Sequence, residues 1–231
     1  MFSRRTFLAG AGAIGVSAPA LAQDACQVFT PDLQSAVDPT GAIKLLLDGN
    51  ARFVGGSTIN CDLARQVKET AHGQAPFAAV VGCIDSRVPP ELVFDQRLGA
   101  IFSARIAGNF VNTDIIGSLE FACKVAGAKA IMILGHNDCG AIKGAVDNVH
   151  LGNLTAMLAN IMPAVDASKT DGERTTKNKG FVQAVADLNA KLAAKMVLDR
   201  SPVLRDMVEA RKLKVVAAMH DLSTGRVTLL D

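Results

Sequence analysis

Five residues stand at spacings that could do chemistry: Cys83, Asp85 and Arg87 in Cys83-Ile84-Asp85-Ser86-Arg87, with His136 and Cys139 in His136-Asn137-Asp138-Cys139. Two thiolates and an imidazole make a soft donor set that selects zinc, and three protein ligands rather than four leave a position for water or substrate. Asp85 is close enough in sequence to be a fourth ligand. Held in the planar fork of Arg87, it could instead accept a hydrogen bond from a hydroxide on the metal. Each residue alone has a plainer reading: the cysteines as small core hydrophobes, His136 as a turn residue, Asp85 and Arg87 as a surface ion pair. A closed structural zinc site lacks its fourth ligand, because Cys123 falls mid-helix among Leu119, Ala122 and Ala126 and reads as core.

Whether these residues meet depends on the elements that carry them. Phe77 to Gly82 is a short apolar run suited to a strand buried on both faces, so Cys83 leaves a strand's carboxyl end. Lys129 to Leu134 is a second such run, ended by Gly135, with His136 following. Parallel strands of an open α/β sheet deliver their carboxyl ends to the edge where such sheets bind ligands. Asp138 is expected to cap a helix from Cys139 to about Asn148, whose first-turn N–H groups and dipole favour a thiolate.

Further strands are expected at Ala100 to Arg105, Lys214 to Met219 and Val227 to Leu230. A polar lead to Thr40 precedes a helical pattern of Ile43, Leu46, Leu47 and Phe53, stopped by Gly55-Gly56, and another helix follows Asp62. Thr113 can cap a helix with Ile115, Leu119, Ala122 and Ala126 on one face, and Ser201-Pro202 reads as an N-cap and first helical residue. Residues 168–180 are polar and read as a mobile surface loop within the domain. The alternation predicts an α/β fold: a single domain with a mostly parallel central sheet flanked by helices, and an N-terminal helical arm.

The chain has 231 residues, 49% hydrophobic and 20% charged, a balance that excludes disordered and fibrous classes. Its 10 aromatic residues are all Phe, which removes indole and phenol chemistry. Ser3-Arg4-Arg5-Thr6-Phe7-Leu8, an apolar stretch and Ala20-Leu21-Ala22 read as a twin-arginine signal over residues 1–22, so the mature chain, 23–231, is expected in the periplasm. The stretch is short for a membrane anchor. Removing it leaves 22 basic against 22 acidic side chains, which argues against a nucleic-acid partner.

A C-x-D-S-R segment followed by H-x-x-C resembles the beta-class carbonic anhydrases. The resemblance runs in family order through Leu47 to Phe53, Gly73 to Phe77, Arg105 to Asn109, Ser118 to Ala122 and His136 to Gly140. It implies a lyase that reversibly hydrates carbon dioxide to bicarbonate and a proton by a zinc-bound hydroxide, with one zinc ion per subunit. Cys83, His136 and Cys139 would hold the metal, and Asp85 with Arg87 would gate the fourth position, Asp85 serving as a ligand in a closed, inactive state. Gln74 matches a donor to bicarbonate, and Phe102 and Phe121 match an apolar pocket wall. The family places this pocket at a subunit boundary, implying a homodimer or homotetramer. Relatives that hydrolyse carbon disulfide or carbonyl sulfide offer a rival substrate, and a non-catalytic zinc- or anion-binding protein is a rival class. A dinucleotide-binding Rossmann domain is a further rival, and it fails because no G-x-G-x-x-G follows the first strand of the sheet.

Ile84 replaces a usual Ser, Ile106 a usual Asn and Phe121 a frequent Tyr. An inhibitory bicarbonate site of some members needs Trp, Arg and Tyr; Arg105 matches, but Val80 stands at the Trp position and the chain has no Tyr, so that regulation is expected to be absent. His72, His150 and His220 are candidate proton shuttles or plain surface residues. Cys26 and Cys61 could pair after export or stay as thiols.

Overall fold

A strand covered on both faces reads as a near-continuous apolar run, and Ala78–Gly82 and Ala130–His136 are buried along their whole lengths, polar only at His136. In the computed structural model, which describes residues 26–231, they are the inner strands β1 and β3 of a five-stranded sheet ordered β2-β1-β3-β4-β5. The other strands are β2 (Ile101–Arg105), β4 (Lys214–His220) and β5 (Val227–Leu230). β1 to β4 run parallel, and β5 returns antiparallel beside β4. The expected α/β class and mostly parallel sheet are therefore present. The expected signal segment, residues 1–22, lies outside the described residues.

The two-residue period of the strands creates two apolar layers. Ala79, Val81, Ile131, Ile133 and Ala217 face one cluster with Ile116, Leu119, Ala193 and Leu204. Ala78, Val80, Met132, Leu134 and Ala218 face the other, with Ile43, Leu46, Phe77 and Phe94. Burial of each large aliphatic side chain contributes about 1.5–3 kcal/mol. A third cluster gathers beyond the carboxyl ends of the strands and includes Cys83, Cys139, Phe110, Ile142, Ile161 and Phe181.

The N-terminal arm differs from the sequence reading. The expected polar lead contains helix α1 (Pro31–Ala36), capped by Thr30, and α2 (Pro39–Val54) starts at Asp38, whose side chain accepts from the Gly41 amide. Both helices place proline in their first turn, where its missing N–H costs nothing. α3 (Leu63–Thr70) follows its Asp62 cap as expected. The short α4 (Pro90–Val93) comes between β1 and β2.

Cys26 and Cys61 form a disulfide, Cα to Cα 5.4 Å, which decides between the two alternatives left by the sequence. Buried Gln66 adds a second tie, donating to the Cys26 carbonyl at 3.2 Å and accepting from the Leu98 amide at 3.2 Å. The bridge closes a sequence separation of 35 residues. Replacing both cysteines with Ala should lower stability by roughly 3 kcal/mol in urea unfolding; an unchanged midpoint would refute a stabilising role.

Asn112, not Thr113, caps α5 (Thr113–Glu120), its side-chain oxygen accepting from the Ile115 amide. The helix continues as a π-helical turn, Phe121–Val125, and the buried residues of the two segments are Ile116, Leu119, Ala122 and Cys123. Of the expected face, Leu119 and Ala122 are buried and Ile115 packs partly buried against the same cluster, while Ala126, just past the π turn, is only partly covered. α6 (Gly140–Val146), α7 (Gly152–Leu158) and α8 (Met162–Ala167) lead to a polar segment. That segment is tied back: Arg174 donates to the Ser168 and Val165 carbonyls and stacks 4.7 Å from the Phe181 ring centre. α9 (Lys179–Arg200) and α10 (Pro202–Glu209) complete the helices, with Ser201 capping α10.

Candidate metal centre

The chain leaves β1 toward β2 on one side, whereas β3 lies on the other, so the sheet changes direction between β1 and β3. Open α/β sheets form a crevice at such a point. Gly82 pairs with Leu134, so Cys83 and His136 emerge together from adjacent strands. Cys139 arrives three residues after His136, through Asp138 at φ 55°, and is itself the N-cap of α6. The expected cap at Asp138 is thus one residue early. Its left-handed backbone turns the chain, and its carboxylate pairs with Lys143 instead.

These turns bring the Cys83 and Cys139 sulfurs and an His136 ring nitrogen within 4.8 Å of one another, all three residues buried. The sulfurs lie 4.0 Å apart. A tetrahedral ion with Zn–S near 2.3 Å would separate two sulfurs by roughly 3.8 Å. His136 Nδ1 lies 2.8 Å from the Asn137 carbonyl, an arrangement that places the proton on Nδ1 and leaves the Nε2 lone pair directed outward. Nε2 is buried without a hydrogen-bond partner. An orphaned buried acceptor beside two sulfurs fits a metal ion.

The thiols fit it too. The Cys83 thiol is pulled down, by the Cys139 S–H first and then, against the opposing cost of burial, by His136 and the Gly108 and Asp85 amides. Cys139 is pushed up, because its S–H already serves Cys83, because it is buried, and because a second charge beside the first is repelled. Two thiolates at this distance need a cation between them. Burial disfavours a charged His136, but Cys83, the Asn137 carbonyl and the Asp85 carboxylate outweigh it and raise its basicity. Cys123 is apart from this group, its thiol pushed up to about 12 by burial alone.

The Cys83–Arg87 loop is held from several sides. Arg87 donates from Nε to Asp85 Oδ1 at 2.9 Å and from Nη2 to Oδ2 at 2.7 Å, and its amide donates to Oδ1 at 3.0 Å. These bonds hold the Asp85 carboxyl well below the usual carboxylate range. A depressed carboxyl stabilises the fold above its unfolded pKa and loses that contribution as pH falls through its folded one. Asp85 Oδ2 stands 3.9 Å from His136 Nε2. Arg105 donates to the Cys83 carbonyl at 2.9 Å and the Asp85 carbonyl at 2.6 Å, so its guanidinium is engaged in bracing this loop.

Gly108 contributes what the sequence motifs did not reveal: its amide donates to the Cys83 sulfur at 3.3 Å. Its φ is +80°, and a Cβ there would sit 2.5 Å from Ile161 Cδ1. Gly108→Ala should therefore destabilise the chain by about 1–3 kcal/mol. A urea midpoint equal to the parent's would contradict this packing.

Gln74, Phe102 and Phe121 are not gathered here within one chain. Gln74 lines a shallow depression with Val67, Thr70, Leu98 and Gly99. Phe102 and Phe121, ring centres 6.2 Å apart, line a cavity of about 700 Å³ between β2 and α5. Cys83, His136 and Cys139 line neither. Among the histidines weighed as surface groups, His72 and His150 are exposed, but His220 is buried beside His136 on β4, where its backbone register turns it inward. Burial lowers its basicity.

A family model described as carbonic anhydrase matches residues 78–227. Carbonic anhydrase 2 of Mycobacterium tuberculosis is 30% identical over 200 residues, covering 84% of this chain and 94% of that protein. The carbonic anhydrase of Mycolicibacterium smegmatis is 32% identical over 195 residues, 83% of this chain and 93% of its own. Among solved structures, the beta-carbonic anhydrase CafA of Aspergillus fumigatus is similar with a TM-score of 0.65 and 25% identity, over 83% of this chain and 90% of that one. Two tetrameric beta-carbonic anhydrases are known from Sordaria macrospora, and the matching chain has a TM-score of 0.62 and 28% identity, over 81% and 96%.

Proposed function

The chain belongs to the carbonic anhydrase family, in its beta class, lyases that interconvert carbon dioxide and bicarbonate, and from that premise we propose how its own residues perform the reaction. Cys83, His136 and Cys139 would hold one zinc ion. When bound there, zinc supplies Lewis acidity, making water acidic enough to attack carbon dioxide near neutral pH, an effect that two thiolates moderate toward the alkaline side. The observation that carries this reading is the convergence of two sulfurs and a partnerless buried imidazole nitrogen within 4.8 Å.

Asp85 accepts the hydrogen bond of the attacking water and thereby orients its lone pair toward carbon. It can do so because Arg87 occupies its two oxygens from the side and fixes the carboxylate in place. Arg105, by gripping the carbonyls of Cys83 and Asp85, keeps ligand and acceptor in one fixed frame. The third apolar cluster beneath the centre excludes water from the ligand side. Carbon dioxide and water become bicarbonate and a proton that passes to solvent.

Gln74, Phe102 and Phe121 would serve the pocket of a second copy, in a homodimer or homotetramer. Support comes from their separation from the metal group in one chain, from β2 lying at the sheet edge, and from Phe121, on the π-helical turn beside it, being half exposed. The periplasm as workplace belongs to the same reading. The Cys26–Cys61 bridge supports it, since disulfides persist in oxidising compartments. Among the described residues no helix is long and apolar enough to cross a membrane.

Zinc content measured beside carbon dioxide hydration on the purified chain tests the reading. One zinc per chain with hydration rising toward alkaline pH is expected; hydration by a metal-free chain would refute it.

A further inference from the structure

Resting on the metal reading above, we infer that Asn189 is a positioning residue for the centre: from α9 it fixes the Gly108 carbonyl, so that the Gly108 amide stays aimed at the Cys83 sulfur. The first observation is a polar side chain on an apolar stripe. Val182, Val185, Ala186, Ala193 and Val197 mark the buried face of α9, and Asn189 stands among them with only 4% of its surface exposed. A buried amide is costly unless satisfied. Asn189 Nδ2 donates to the Gly108 carbonyl at 2.7 Å, across 81 residues of sequence.

The second observation is what lies on the other side of Gly108. Its amide donates to Cys83 Sγ at 3.3 Å, so one glycine links α9 to a metal-ligand atom. Glycine is the residue least able to hold its own dihedrals. Here the preceding N–H must face the sulfur and the following carbonyl must face α9. The turn is closed by the Asn109 amide donating to the Ile106 carbonyl at 2.9 Å. Ile161 Cδ1 fills the space a side chain at this position would need, and Asn189 supplies the remaining restraint.

An N–H directed at a thiolate withdraws electron density from it and leaves a bound metal more electron-poor. Losing that bond makes the Cys83 sulfur a stronger donor. Asn189 touches neither substrate nor metal, and its effect travels through Gly108.

The test uses the zinc holoenzyme and its cobalt(II)-substituted form, comparing the parent chain with Asn189→Leu, which removes the donor at similar volume. The variant should retain its metal, move the sulfur-to-cobalt charge-transfer band to longer wavelength, and shift the midpoint of the hydration pH profile upward by roughly half to one unit. A purely structural residue would lower the melting temperature and leave band and midpoint in place, and that result would overturn the inference. Should Asn189→Leu fail to fold, Asn189→Ala gives the same two readouts. A parent cobalt form with no sulfur charge-transfer band would instead sink the metal reading itself, and this inference with it; the two failures differ because only the second is seen in the parent.

Discussion

Cys139→Ser should bind little zinc and hydrate carbon dioxide more than about 100-fold more slowly than the parent chain. Outer-shell partners of metal ligands alone are worth about 10–100-fold, so removing a ligand should exceed that range. Serine is nearly isosteric, yet its hydroxyl stays protonated near neutral pH and offers a hard oxygen where the site presents soft sulfur. Cys139 is 1% exposed and also serves as the N-cap of α6. Serine is a competent cap, so the helix should persist and the melting temperature should change little. Metal analysis and hydration rates on the same preparation decide the matter. A zinc-replete, fully active Cys139→Ser chain would refute the assignment of this ligand.

Arg87→Ala should behave oppositely with respect to metal: zinc is retained and turnover falls by at least about 100-fold. In the parent, three hydrogen bonds from Arg87 hold both Asp85 oxygens. Truncation removes the two side-chain bonds, and the carboxyl rises toward the ordinary value of about 3.9, still ionised at neutral pH. A free carboxylate whose Oδ2 already stands 3.9 Å from His136 Nε2 is then available to take the open metal position. Asp85→Asn separates the steps, since it retains the metal and loses turnover by removing the acceptor. An active Arg87→Ala chain with full zinc would dispose of the gate.

Much of this arrangement is legible in the sequence because it rests on short-range rules. The apolar runs before Cys83 and before His136 are short and uniformly apolar, as inner strands require, and their carboxyl ends share an edge once they are parallel. Turn chemistry is less legible. Asp138 looks like a helix cap by type, but it adopts a left-handed turn and pairs with Lys143, leaving the cap to Cys139. The π-helical turn at Phe121–Val125 interrupts the regular helix after Glu120, and no local residue type announces such an insertion. α1 was hidden because it buries none of its residues, so it has no apolar stripe to detect.

The supporting shell of the centre depends on tertiary distance and is invisible to motif spacing. Asn189 reaches Gly108 across 81 residues, and Arg105 reaches the carbonyls of Cys83 and Asp85 from the neighbouring strand. In the sequence, the only trace of Asn189 is an amide at the 3–4 spacing of a buried helix face. Gly108 sits in a segment that resembles the family, yet its contact with the Cys83 sulfur follows only from the fold.

Zinc-edge X-ray absorption on the purified holoenzyme tests the central claim most directly. The account predicts two sulfur scatterers near 2.3 Å and one imidazole nitrogen near 2.0 Å, with the remaining position filled by a light atom. A shell without sulfur, or with a single sulfur, would contradict it.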